Sequence, residues 1–230
     1  MTEITGIRSD VTNQKYHPEP RSRSALHPLS PSTRPYKRRI LDRWTERIRG
    51  SGLPGNDLVA EYLHEKYIKN LSFHTIDHSG GTILAFLRFL DTRGSSLLTL
   101  TRREIGAFVE YEQDRGLKVV SIIAHLRAIY AFVAYLVRQE VLPPEIMNPK
   151  VRMQEPDALP KAIPDEDIKS LFAAVSSVRD RALLMLLYRT GMRIGELLQV
   201  KVDDIILPEQ TILLYVGSKN YEGREVYYSS

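Results

Sequence analysis

The chain has 230 residues, with 32 Lys/Arg against 28 Asp/Glu, and 43 % of it is hydrophobic. That suits one large domain or two small ones with a sizeable core, and it excludes wholesale disorder. Cysteine is absent, which excludes disulfides, cysteine nucleophiles and thiolate metal sites and fits a reducing, cytoplasmic setting. No apolar run reaches the roughly 18 residues of a membrane span, and Met1-Thr2-Glu3-Ile4 starts no signal-peptide core, so neither membrane insertion nor secretion is expected.

The charge is uneven. Residues 1–50 carry 11 Lys/Arg against 5 Asp/Glu, residues 51–150 carry 11 against 11, and residues 151–230 carry 10 against 12. A basic N-terminal arm ahead of a nearly neutral body points to an anionic partner, most simply nucleic acid.

In chain order, residues 1–52 read as a basic, largely disordered arm. Five of the 13 prolines fall between Pro18 and Pro35, and residues 1–35 show no hydrophobic period. A short helix is predicted at 38–49, where Ile40, Leu41, Trp44 and Ile48 share a face and Lys37, Arg38, Arg39, Arg43 and Arg47 surround it. It either docks on DNA or caps the next domain.

Residues 53–142 read as a compact domain of four helices. The first covers about 57–68. The second starts near Thr75, with Ile76, Ile83, Leu87 and Leu90 on one side, and its Gly80-Gly81 marks close packing or a kink. The third opens on a capping box, Thr101 with Glu104, and buries Ile105, Phe108 and Val109. The fourth, about 119–139, has two apolar stripes, one through Ile123, Leu126, Tyr130, Val133 and Val137, the other through Ile122, Ile129, Phe132 and Leu136. A helix apolar on two sides is central in its bundle. His74 and His78 stand one turn apart, but without the Glu of a zinc motif or an evident third ligand they predict no metal site.

Residues 143–163 form a proline-rich linker. After Pro164 a helix starts with three carboxylates in its first turn and carries Ile168, Leu171, Phe172 and Val175 at helical spacing. The 181–188 segment is apolar all round and is predicted to be buried. Gly191 breaks it and a short helix follows at about 194–200. The period then changes: 211–216 and 224–228 read as the strands of a hairpin, and 202–207 as a candidate third strand.

The sharpest motif is Thr190-Gly191-Met192-Arg193-Ile194-Gly195-Glu196-Leu197. By composition alone it gives a structural Arg–Glu pair at a helix turn. The run also resembles the first arginine box of the tyrosine recombinases, the phage-integrase family. So does its context: Leu159-Pro-Lys-Ala-Ile163 before an acidic helix start, Val202-Asp-Asp-Ile205 after the box, then a hairpin with Gly217-Ser-Lys219 in its loop and Arg224 entering the last strand. The resemblance covers about three-quarters of the chain.

The resemblance implies a mostly α protein. A four-helix, SAM-like core-binding domain would be followed by the N-terminal part, 164–230, of an α+β catalytic domain with a small antiparallel sheet. It implies a partner, double-stranded DNA, further recombinase protomers as possible companions, no cofactor and no membrane. It assigns Arg193 to transition-state charge, Lys219 to protonation of the leaving oxygen and Glu196 to orienting Arg193. Arg224 matches a basic hairpin position without an assigned role. Lys37, Arg38, Arg39, Arg43, Arg127 and Arg224 are candidate DNA contacts; His125 and Arg138 on the fourth helix, and Lys66, Lys69, Arg88, Arg102 and Arg103 on the others, read as ordinary surface charges by default, although the resemblance, to a family whose core-binding helices lie on DNA, implies that some of them touch phosphates.

The sequence departs from the family pattern in two respects. All six histidines precede Arg193, so the later His-x-x-Arg box is absent, and no tyrosine stands where the nucleophile belongs. Tyr215, Tyr221, Tyr227 and Tyr228 lie in or beside the hairpin and read as sheet-packing side chains. The expectation is a recombinase truncated within its catalytic domain and inactive alone. The alternatives are a non-catalytic regulator, a gene remnant, or a helical protein-interaction module.

Overall fold

The computed structural model describes residues 33–155, 162–215 and 223–229. The disorder expected over 1–35 falls, up to residue 32, outside them, as do Tyr221 and the hairpin loop with Lys219. The contacts divide the chain into two compact units, one holding the described residues 33–155 and the other those from Ile163 onward.

Five helices build the first unit: α1 (Thr33–Arg49), α2 (Asn56–Ile68), α3 (Phe73–Thr92), α4 (Arg102–Asp114) and α5 (Val119–Arg138). α1 is longer than the predicted 38–49 segment and belongs to the body rather than to an arm. Ile40, Leu41, Trp44 and Ile48 are buried in the same core as Val59 and Leu63 of α2 and Ile76 and Ile83 of α3. Pro35 does not prevent this, because it sits in the first turn, where its missing N–H would have had no helical partner.

Trp44 locks α1 onto α3. Its indole Nε1–H donates to Asp77 Oδ1 at 2.6 Å, and Arg43 donates to the same oxygen at 2.5 Å. The ring lies on Gly80, where an added Cβ would stand 2.6 Å from the indole Cγ and Cδ2. Gly80 is therefore a close-packing glycine.

α3 is capped by Ser72, which accepts from Thr75 N–H at 3.2 Å. α4 starts with the predicted box, in which Glu104 Oε2 accepts from Thr101 N–H at 2.8 Å. α5 is long and apolar enough to cross a membrane by length and composition. Here Ile122, Ile123, Leu126, Ile129, Phe132, Val133 and Leu136 are instead buried among the other helices, so its two stripes serve a bundle centre. α4 and α5 also share a buried polar tie. Glu112, fully buried, accepts from Arg115 Nη1 at 2.7 Å and pairs with His125 Nδ1 at 2.8 Å.

The second unit holds α6 (Asp165–Ala174), α7 (Val178–Thr190), the one-turn α8 (Ile194–Leu197) and a three-stranded antiparallel sheet in the order β1 (Ile205–Ile206), β2 (Thr211–Leu214), β3 (Arg224–Tyr227). Ile212 pairs with Ile205 on one side and Val226 on the other. The predicted third strand is mostly a 3-10 turn, Val202–Asp204, because the Asp204 carboxylate accepts from Lys201 N–H at 2.8 Å and closes it.

The core of this unit is Met192, Leu197, Ile212 and Leu214, with Leu183, Leu186 and Leu187 of α7 partly buried against it. The expectation that 181–188 is buried is overturned. α7 has no buried residue, and Met185 and Tyr188 are exposed. An all-round apolar helix is buried only where neighbours cover every side, and among the described residues α7 is covered on one.

The two cores differ greatly in buried apolar surface, which sets local opening free energies. Amide hydrogen exchange should therefore show β2 and α7 exchanging well before α3 and α5; equal protection in both units would contradict this.

Candidate functional site

The chain turns sharply between α7 and α8. Gly191 ends α7 in the left-handed region at φ 61°, a conformation that costs glycine little. Thr190 Oγ1 accepts from Met192 N–H at 3.2 Å, and the Met192 side chain is buried beneath the turn. Arg193 is then placed at the start of α8, where its backbone N–H has no helical partner.

Glu196, three residues on, satisfies that N–H. Its Oε2 accepts from Arg193 N–H at 2.8 Å, while its Oε1 accepts from Arg193 Nη1 at 2.9 Å. A second guanidinium arrives from the sheet: Arg224 Nη2 donates to Glu196 Oε2 at 2.9 Å. The carboxylate is 2 % exposed, whereas the two arginines are 53 % and 46 % exposed. A buried anion thus carries two half-exposed cations, leaving one net positive charge facing solvent. Each guanidinium spends one N–H on Glu196, so its remaining N–H groups can bind an outside anion bidentately.

The Arg193 N–H holds the Glu196 carboxyl below the usual carboxylate range. Burial opposes this, and the Arg193 and Arg224 guanidiniums reinforce it.

Sequence reading singled out Arg193, Glu196 and Arg224, and the fold brings all three together. What it missed was the link between them: Arg224 reaches Glu196 only because β3 pairs with β2 in the register Leu214 opposite Arg224. Gly223 precedes it, and an added Cβ there would stand 2.9 Å from the carbonyl oxygens of Leu214 and Tyr215. Lys219 lies outside the described residues. Tyr215 and Tyr227 are exposed, and the Tyr227 hydroxyl donates to Glu225 at 3.0 Å.

The basic candidates of the helical unit fare differently. Lys37 is buried, donates to Asn70 Oδ1 at 3.0 Å and has its ammonium pKa lowered, first by burial and then by Arg34. Arg38 pairs with Asp42 at 2.9 Å, Arg43 with Asp77, and Arg127 with Glu155 at 3.0 Å. Arg39 is exposed over the Tyr36 ring. So four of these five are already engaged within the protein.

Among the described residues no group of three His, Cys, Asp or Glu is placed to hold a metal ion. His78 instead faces His125, ring to ring at 5.7 Å, and its pKa is lowered first by burial and then by that neighbour.

Comparison with known proteins agrees with this architecture. A family model described as the phage integrase family matches residues 161–229, and one described as the phage integrase N-terminal SAM-like domain matches residues 59–140. Tyrosine recombinase XerD of Listeria innocua is 28 % identical over 162 residues, 66 % of this chain and 54 % of its own length. Tyrosine recombinase XerC of Staphylococcus aureus is 30 % identical over 148 residues, 61 % of this chain and 49 % of its own. The chain thus spans about half the length of these curated relatives.

Among solved structures, XerH site-specific recombinase bound to a palindromic difH substrate is 19 % identical, with a TM-score of 0.55, over 86 % of this chain and 67 % of that one. The Tn1549 transposon integrase, solved with a circular intermediate DNA, is 14 % identical, with a TM-score of 0.55, over 77 % and 62 %. A helical SAM-like domain and an integrase domain in this order, with an arginine turn held by a buried glutamate in the second, identify the chain as a member of the tyrosine recombinase, or phage integrase, family.

Proposed function

We propose that this chain binds duplex DNA in the service of site-specific recombination, and that Arg193 and Arg224, set by Glu196, hold a backbone phosphate. The observation that carries this reading is the buried Glu196 carboxylate with two half-exposed guanidiniums upon it. A planar, permanently charged fork suits a phosphodiester whose negative charge grows as a fifth oxygen approaches. Because Glu196 fixes Arg193 from two sides before any DNA arrives, little reorganisation is needed on binding.

By its match to the family pattern, Lys219 is the group that would protonate a leaving oxygen. The metal-free, cofactor-free chemistry that the resemblance implies needs no further ligand from these residues. Other recombinase protomers are the protein partners the same resemblance suggests, and the exposed side chains of α6 and α7 would suit such a contact.

Fluorescence anisotropy with a labelled duplex tests the reading. Saturable binding is expected at low salt, with log K falling linearly as log salt rises, by about 0.9 for each phosphate neutralised. A chain that is folded by circular dichroism yet leaves the anisotropy unchanged at low salt overturns it.

A further inference from the structure

The basic residues that matter for an anionic partner are those the protein has not already neutralised. In the helical unit the exposed Arg38, Arg43 and Arg127 each face a carboxylate. A different set does not. Arg102 at the start of α4, with Lys150 and Arg152 from the segment after α5, lines one cleft of about 520 Å³ together with Met147, Asn148 and Pro149. Among the described residues no acidic residue lines it, and none of the three cations has a carboxylate within salt-bridge distance.

The cleft is built rather than accidental. Val151 N–H donates to the Tyr130 hydroxyl of α5 at 2.6 Å, which pins the backbone between Lys150 and Arg152. The Lys150 ammonium stands 5.4 Å from the centre of the same Tyr130 ring. Met147, Val151 and Met153 pack against the main core and hold the segment from below. Lys150 and Arg152 are thus presented by an anchored stretch of chain, so fixing them costs less entropy on binding than ordering a loose tail.

We propose that this cleft receives the phosphodiester backbone of duplex DNA, and that Arg102, Lys150 and Arg152 supply the principal phosphate contacts of the helical unit. The proposal rests on the duplex-binding reading above. It assigns the contacts to a surface other than the α1 residues, and it makes the segment after α5 a DNA-contacting element as well as a connection. Contacts of this type set affinity and salt dependence, not sequence choice.

The experiment compares the full chain with two charge-matched triple variants, R102Q/K150Q/R152Q and R38Q/R43Q/R127Q. Each is checked for an unchanged circular dichroism melt and titrated with the same labelled duplex over a range of salt. Loss of the cleft cations should weaken binding tenfold or more and make the salt slope shallower by about one unit per contact removed. The other triple should change the slope by less than about one unit. Equal effects of the two triples overturn the proposal while leaving duplex binding in place, as does a cleft triple that binds like the unsubstituted chain. An unsubstituted chain that does not bind removes the duplex-binding reading and the cleft's role together.

Discussion

Trp44→Ala should destabilise the helical unit by about 3–5 kcal/mol, the range for removing a large buried aromatic side chain. A domain of this size has roughly 5–15 kcal/mol in all, so the variant should lose a large share of its denaturation midpoint in urea followed by circular dichroism. The indole is buried between α1 and α3 and also satisfies Asp77. Its removal therefore loses packing and leaves that carboxylate with Arg43 alone.

Gly80→Ala gives the matching half of a double-mutant cycle. With Trp44 present, the new methyl meets the rigid body of the indole, not a flexible chain end, and a cost of about 1–3 kcal/mol is expected. With Trp44 already replaced by Ala the clash is gone, and the helix preference of Ala over Gly, up to about 1 kcal/mol, should make the same change neutral or favourable. If Gly80→Ala costs the same in both backgrounds, the close approach of α1 to α3 is not what requires the glycine.

The second large effect concerns the Arg193–Glu196–Arg224 cluster. Removing both guanidiniums in R193A/R224A leaves a buried carboxylate without a cation, a situation that typically costs about 3–5 kcal/mol. The second unit should then open far more readily, seen as faster exchange of the β2 amides. Adding Glu196→Gln to that double variant should restore part of the loss, because an uncharged amide is cheaper to bury. No restoration would show that the arginines contribute packing rather than charge.

The pH dependence should weaken with it. In the unsubstituted chain the folded-state pKa of Glu196 lies below its unfolded value. The stability it contributes is therefore fully present above the unfolded pKa of about 4.3 and is lost as pH falls through the folded pKa. In R193A/R224A the backbone N–H of residue 193, the first cause of the lowering, remains while the guanidiniums that reinforce it are gone, so the folded pKa moves up toward its unfolded value. That variant should therefore lose less local stability on acidification than the unsubstituted chain, read from β2 amide exchange against pH; an equal loss in both would show that the guanidiniums do not set the Glu196 pKa.

The features legible in the sequence were those set by near neighbours. Thr101 and Glu104 stand three residues apart and form their box, the two stripes of α5 mark it as central, and Thr190 to Leu197 carry the arginine turn. The illegible features depend on distant partners. Lys37 meets Asn70, Arg43 meets Asp77, Arg127 meets Glu155 and Arg224 meets Glu196, each across about thirty residues of chain. Nothing local distinguishes them from Arg102, Lys150 and Arg152, which pair with no carboxylate among the described residues.

Two further differences have the same origin. The prolines before residue 36 suggested a loose arm, but Pro35 occupies the one part of a helix that tolerates it, and the face of α1 has a core to join. The apolar run in α7 suggested burial, but hydrophobicity records what a helix would prefer to cover, and its neighbours decide how much is covered.

Chemical-shift mapping of arginine side chains in the full chain, titrated with duplex, tests the phosphate-holding centre most directly. If Glu196 presents Arg193 and Arg224 to a backbone phosphate, their Nε–H signals move and exchange more slowly with solvent in step with binding, while Arg38, already paired with Asp42, stays in place. Saturating duplex binding with Arg193 and Arg224 unmoved would contradict that role.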